Sequence, residues 1–208
     1  MSSLVQVPPP TTKLSVLPID QSRGMWGVYW LIATEAMLFA CMFGAYYYLG
    51  NNKDRWALEK PPHLAYPFIL LAVLVSSSFV LHWGEKQVLK GRSGSARIAL
   101  WFTVLLGMVF LALQGFEYAS EWKDLTPDSN AYGSIFYTIT TLHAAHVIVG
   151  LLLLIFVGLI PRYGVARRSP HQAYQVAARY WHFVDVVWLF IVAFLYCIPN
   201  LQRYYHVH

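Results

Sequence analysis

Eight polar or ionisable side chains stand inside otherwise apolar runs of this 208-residue chain: Glu35, His82, Gln114, Glu117, His143, His146, His182 and Asp185. Carboxyl and imidazole groups are the side chains that hold protons or ligate metals. Their spacing narrows the choice. His143 and His146 are three apart and share one face of a helix, as do His182 with Asp185 and Gln114 with Glu117. Trp181, Asp185 and Trp188 form a second stripe on the same stretch as His182. Such pairs either position a proton or hold helices together by interhelical hydrogen bonds, which contribute about 0.6–2 kcal/mol each.

A metal centre is poorly served by this set. The histidines are His63, His82, His143, His146, His171, His182, His206 and His208, and only His82, His143, His146 and His182 fall in apolar runs. A carboxylate-bridged di-metal site in a bundle draws Glu-x-x-His from two helices, and no Glu-x-x-His occurs. Bis-histidine haem ligation needs two helices at matching depth. His143 with His82 or His182 does not meet that requirement, so no metal or haem is expected in this chain.

The elements that carry these residues belong to a membrane. The chain is 57% hydrophobic and only 12% charged, against about 25% charged in soluble domains. Apolar runs are read at 25–49, 64–83, 98–118, 132–160 and 180–198. Each supplies the roughly 20 residues a helix needs to cross the hydrocarbon core. Turn-rich stretches separate them, at Gly50-Asn51-Asn52, Gly91-Arg92-Ser93-Gly94, Thr126-Pro127-Asp128 and from Pro161 onward. The expected fold is therefore all-α: a bundle of five transmembrane helices over 24–208, behind a cytoplasmic tail at 1–23. That tail has Pro8-Pro9-Pro10 and no apolar core, so the first helix is expected to act as its own insertion signal. No run of like charges marks a nucleic-acid-binding tail. Cys41 and Cys197 lie in apolar runs and are expected to stay unpaired.

Basic residues set the orientation. Lys13, Arg23, Lys86, Lys90, Arg92, Arg97, Arg162, Arg167, Arg168 and Arg179 fall on one side, and Lys53, Arg55, Lys60, Lys123 and Arg203 on the other. Ten against five puts the N-terminus inside and the C-terminus outside. Trp26, Tyr29, Tyr46 to Tyr48, Trp83, Trp101, Trp122, Tyr132, Tyr180 and Trp181 cluster at helix ends and are expected to be interfacial anchors. Glu35 then sits about nine residues, roughly 14 Å, into the first helix. His146 lies about 14 residues from either end of the fourth, also near mid-depth. A charge there costs about 3 kcal/mol. Glu35 is expected to be neutral or hydrogen-bonded, with His143 or His146 as partner. His182 and Asp185 lie nearer the inner edge, and Glu117 close enough to the outer edge to reach interfacial water.

Several segments carry a resemblance. Tyr180-Trp181-His182-Phe183-Val184-Asp185-Val186-Val187-Trp188-Leu189-Phe190 resembles the last-helix signature of subunit III of the haem-copper oxidases. Tyr132-Gly133-Ser134-Ile135-Phe136-Tyr137 and Leu142-His143-Ala144-Ala145-His146-Val147-Ile148-Val149-Gly150 resemble its penultimate helix. Thr34-Glu35-Ala36-Met37-Leu38-Phe39 is similar to its buried-glutamate motif. Leu113-Gln114-Gly115-Phe116-Glu117-Tyr118 and Ser76-Ser77-Ser78 with His82 are weaker matches. All five helices are touched, in the family's order. The longest members have seven helices. The five here correspond to the last five, as in short bacterial forms, so lipid-binding residues of the first two helices are not carried over.

The resemblance implies an accessory role in a bacterial inner membrane. Haems and copper would reside in partner subunits and none in this chain. Subunit I would be the direct packing partner, with subunit II, a small subunit IV and, through the complex, cytochrome c. Bound phospholipid, support of proton uptake and stability of the active site follow from the same resemblance, as does an oxygen route near Glu35. Subunit III of a quinol oxidase and an accessory protein of nitric oxide reductase are the nearest alternatives. The tyrosine and tryptophan before His182 favour the cytochrome c type. A histidine-box metalloenzyme would need more membrane-edge histidines, and a transporter would show broken helices in a repeat. Cysteines placed at Ser2 and Asn130 are expected to label from opposite faces of the membrane, Asn130 from outside. Labelling of both from one face would overturn the five-helix topology.

Overall fold

A computed structural model describes residues 21–51, 63–122, 125–128, 130–159 and 170–201. The basic residues of 52–62 and 160–169, Lys13, Lys123, Arg203, His206 and His208 lie outside the described residues. Five helices follow in chain order: α1 (Gln21–Gly50), α2 (Ala65–Leu89), α3 (Ser93–Glu121), α4 (Ala131–Leu159) and α5 (Pro170–Ile191). The last continues through a π turn, Val192–Cys197, and ends at Leu201. A helix closes its backbone hydrogen bonds within itself, which is what an apolar stretch in hydrocarbon requires. The spans are 27, 25, 29, 29 and 31 residues. At about 1.5 Å per residue, all five are longer than the roughly 30 Å core and must tilt or project.

The projecting ends are where the helices outrun the apolar runs. The second helix was expected to stop at 83, yet α2 continues to Leu89, because Gly84, Glu85 and Gln87 pack against neighbouring helices. The last was expected from 180, yet it starts at Pro170. Tyr174, Ala177 and Ala178 are buried there, while Arg179 stays exposed. Lys86, Arg97 and Arg179 are consequently helical and not loop residues.

Local signals account for the joints. The α2–α3 connection is Lys90-Gly91-Arg92. Arg92 N–H donates to the Gln87 carbonyl at 3.0 Å and Gly91 N–H to the Val88 carbonyl at 3.0 Å. This double capping needs a residue at positive φ, and Gly91 supplies φ 72°. Asn130 caps α4 by accepting from the Gly133 N–H at 2.7 Å. Arg97 donates to the Gly158 carbonyl at 3.2 Å, putting a cation on the α4 C-terminus.

In the bundle, α5 packs on α1, α2 and α4, α3 packs on α2 and α4, and α1 touches only α4 and α5 among its main contacts. The core is aromatic, with Trp181, Trp188, Tyr132, Tyr196, Phe110 and Phe136 fully buried. Two of these, with Tyr46 and Tyr180, fall in the expected interfacial set, and the structure corrects it: Trp181 and Tyr132 lie in the core, and Tyr46 and Tyr180 are buried. The indole of Trp181 takes up space that Gly107 and Gly150 leave open on α3 and α4. A Cβ on either would stand 2.7 or 2.9 Å from the ring. Trp26, Trp83 and Trp122 remain exposed. Much of the outer surface is apolar, including Trp30, Met37, Phe79, Ile98, Phe116 and Leu152. Water would not tolerate so large an apolar surface, and a bilayer requires one.

Gly107→Ala is expected to destabilise the bundle by about 1–3 kcal/mol through overpacking against Trp181 and Leu151. Gly27→Ala, with nothing within 4 Å of the added carbon, should leave stability unchanged or slightly raised. Thermal unfolding in detergent compares the two, and equal losses would refute this account of the core.

Candidate functional site

The eight residues separate into four places. Between α1 and α4, His146 Nε2 lies 2.9 Å from Glu35 Oε2. The other ring nitrogen, Nδ1, lies 2.8 Å from the Leu142 carbonyl. A carbonyl only accepts, so Nδ1 carries a proton. A neutral His146 then presents a bare Nε2, which must accept from a protonated Glu35. The alternative is an imidazolium facing a carboxylate. In both cases one proton lies between the two side chains. The pair is partly exposed, with side-chain exposures of 12% for His146 and 27% for Glu35. Of the two expected partners, the structure selects His146.

His143 has a different setting. It is fully buried, stacked on Trp188 with ring centres 5.0 Å apart, and edged by Phe110 and Phe39. Neither ring nitrogen has a hydrogen-bond partner among the described residues. One helical turn and a different rotation thus separate a proton-sharing histidine from one packed as an aromatic plate.

Between α2 and α5, His182 and Asp185 both converge on Ser78. Ser78 Oγ lies 2.7 Å from His182 Nδ1 and donates to Asp185 Oδ2. With its hydroxyl proton given to Asp185, Ser78 accepts from a protonated Nδ1 of His182. Beside it, Trp181 Nε1 donates to Ser77 Oγ at 2.9 Å. His182 and Asp185 were expected to share a face. The structure adds that Ser78 joins them, a role not assigned to it from sequence.

Nearer the C-terminal end of α3, Gln114 Nε2 donates to Glu117 Oε2 at 2.9 Å. Tyr196 OH donates to Glu117 Oε1 at 2.9 Å. Glu117 is 1% exposed, so the expectation that it reaches interfacial water is corrected: α3 continues past it to Glu121, and the ring of Tyr196 closes over it. Tyr196 carried no signal in sequence beyond its place in an apolar run. The π turn brings it round, and Tyr132 OH donates to the Leu195 carbonyl of that turn at 2.7 Å.

His82 also departs from expectation. Its side chain is 54% exposed and lies 3.7 Å from Glu85, because α2 turns this position outward. Glu85 is the buried member there, within 3.3 Å of Gln175 Nε2 and 3.9 Å of Arg179. The extension of α2 beyond its apolar run is what buries it. Among the described residues no three histidine, cysteine or acidic side chains converge as a metal would need. What the arrangement does chemically is hold protons in paired groups and tie helices together.

A family model described as cytochrome c oxidase subunit III matches residues 19–199. A cytochrome c oxidase subunit 3 of Synechocystis is 36% identical over 178 residues, covering 82% of this chain and 75% of its own. That of Thermostichus vulcanus is 33% identical, covering 84% and 87%. That of Arabidopsis thaliana is 34% identical, covering 82% and 67%.

Glu35→Gln and His146→Phe are each expected to lower bundle stability modestly. Combined, they should lose less than their sum by about 0.6–2 kcal/mol, the coupling of one interhelical hydrogen bond. Strict additivity would mean the two side chains do not interact.

Proposed function

The chain belongs to the cytochrome c oxidase subunit III family, and from that premise we propose that it is the accessory, non-redox subunit of a proton-pumping haem-copper terminal oxidase. It is a multi-pass membrane protein of a complex with other oxidase subunits. We place it in a bacterial plasma membrane, N-terminus inside, packed on subunit I, with subunit II and a small subunit IV in the same assembly. Haems and copper in the partners supply the redox chemistry from cytochrome c to oxygen.

The observation that carries this reading is the Glu35–His146 bond. A carboxyl near mid-membrane is met by an imidazole on the neighbouring helix, and both stay partly exposed. The pair leaves α1 tied to α4 while keeping a partly exposed polar spot between them, beside which a phospholipid or oxygen passes. Two buried acids are held in a similar way, Asp185 by Ser78 and Glu117 by Gln114 and Tyr196. These groups stabilise the subunit and support proton uptake and active-site integrity in its partner. They do not perform the oxygen chemistry.

Affinity purification of the tagged chain from membranes is expected to bring down a complex containing haem and copper. A preparation lacking both would sink the assignment. In that complex Glu35→Gln should leave initial oxygen turnover near wild type, while Glu35→Ala shortens the working life during turnover. A drop of about a hundredfold in initial rate for the glutamine variant, the scale of a lost acid–base group, with metals retained, would make Glu35 catalytic.

A further inference from the structure

The start of α2 and the end of α3 lie side by side, and they differ in electrical sign. A helix N-terminus presents free N–H groups and a partial positive charge. No side chain caps α2 at Leu64, and no acid stands in its first turn. The C-terminal end of a helix is partially negative. The last turn of α3 holds no base and ends on Glu121. His63, Ala65 and Tyr66 at the first end, with Ser120 and Glu121 at the second, line one cavity of about 320 Å³. That is roughly ten times the share of one water, and at the small end of ligand sites.

The polar groups on this wall lack donors. Glu121 is 9% exposed, yet among the described residues its carboxyl group has no hydrogen-bond donor and no cation beside it. Glu117, one turn earlier, is already occupied, because its two oxygens accept from Gln114 and Tyr196. Ser120 gives its hydroxyl proton to the Glu117 carbonyl at 2.8 Å, so its oxygen only accepts on the cavity side. Toward the middle of the helices the same two faces are apolar. Ile69 follows Ala65 by one turn and Phe116 precedes Ser120 by one turn, and both are exposed.

We propose that this cavity binds the headgroup of a phospholipid with a primary ammonium, the ammonium on Glu121 and the phosphate at the N-terminus of α2, with the acyl chains over Ile69 and Phe116.

The chemistry of the wall selects this headgroup. An enclosed acid without a partner is costly, and a cation beside it removes the cost. An ammonium has three N–H donors to share between Glu121 and Ser120. A choline group has no N–H and satisfies neither oxygen. A glycerol headgroup brings a phosphate and no cation, so Glu121 would repel it. A phosphate at a helix N-terminus meets backbone N–H groups and a favourable dipole. Only a zwitterion answers both ends at once, and a soluble amine would leave Ile69 and Phe116 uncovered. The site belongs to α2 and α3, apart from the Glu35–His146 pair of α1 and α4 beside which the accessory role puts its lipid. It rests on the membrane placement of the helices and not on the oxidase assignment.

The test uses the purified complex containing this chain, in detergent, with a phosphatidylethanolamine that carries a diazirine high in one acyl chain. After illumination, peptide mass spectrometry locates the adducts. They are expected on 63–69 and 116–122. Unlabelled phosphatidylethanolamine should remove them, whereas phosphatidylcholine and phosphatidylglycerol at the same concentration should not. Glu121→Gln keeps the volume without the charge and should lower labelling of these two segments several-fold, with the melting temperature unchanged. Ala65→Glu sets an acid in the first turn of α2 and should lower it further than Ala65→Gln, which is of equal size. Labelling that is the same in wild type and Glu121→Gln, or that phosphatidylcholine removes as well as phosphatidylethanolamine does, would overturn the proposal. So would equal loss in the two Ala65 variants, which removes the phosphate contact. Displacement of the probe by free ethanolamine at the concentration at which the unlabelled lipid acts would assign the cavity to a soluble amine and overturn the lipid. Haem and copper content plays no part in the readout, so the oxidase assignment stands or falls separately.

Discussion

A side chain with an unspent proton or charge has no water to turn to inside a bilayer, so it must find another protein group, and several of the strongest such ties here cross between helices. That constraint organises this bundle. Glu35 of α1 reaches His146 of α4, Ser78 of α2 joins His182 and Asp185 of α5, and Glu117 of α3 accepts from Tyr196 beyond α5. Each contact is small in energy. Each also fixes the rotation of two helices about their own axes, because a misrotated helix would strand an acid in hydrocarbon. Polar side chains here set which face meets which, and apolar packing then fills the faces so chosen.

Helix α5 is the member on which the others converge. Trp181 fits between Gly107 of α3 and Gly150 of α4 while its indole nitrogen donates to Ser77 of α2. A single side chain therefore touches three helices, by contact on two and by a hydrogen bond on the third. Trp188 continues the seam by stacking on His143. The π turn beyond it shifts the phase of the helix, so Tyr196 faces Glu117, and Tyr132 satisfies the Leu195 carbonyl in that turn. Helix α1 stands apart from this seam. It contributes Val28, Phe39 and Tyr46 to the core and leaves Trp30, Met37, Tyr47 and Tyr48 outward. The Glu35–His146 bond at its inner face is a main polar tie to the bundle.

Five spans were legible in the amino-acid sequence because apolar length is a local property. So was the need of Glu35 for a partner, since depth along a helix follows from counting residues. Pairs at a spacing of three were legible too, as with Gln114 and Glu117, because helical geometry puts them on one face. The choice of His146 over His143 was not legible. Both lie on one face, and only the rotation of α4 against α1 and α5 decides which meets a carboxylate and which meets Trp188. The core position of Trp181 was hidden for a similar reason. An aromatic ring near a helix end reads as an interfacial anchor until two glycines on other helices are seen to make room for it. The ends of α2 and α5 ran past their apolar runs because Glu85, Gln175 and Arg179 satisfy one another there. The pairing of Tyr196 with Glu117 depends on a phase shift within one helix and a register between two. Periodicity determines which residues share a face, whereas tertiary packing alone determines what that face meets, because the energies that choose it belong to pairs far apart in the chain.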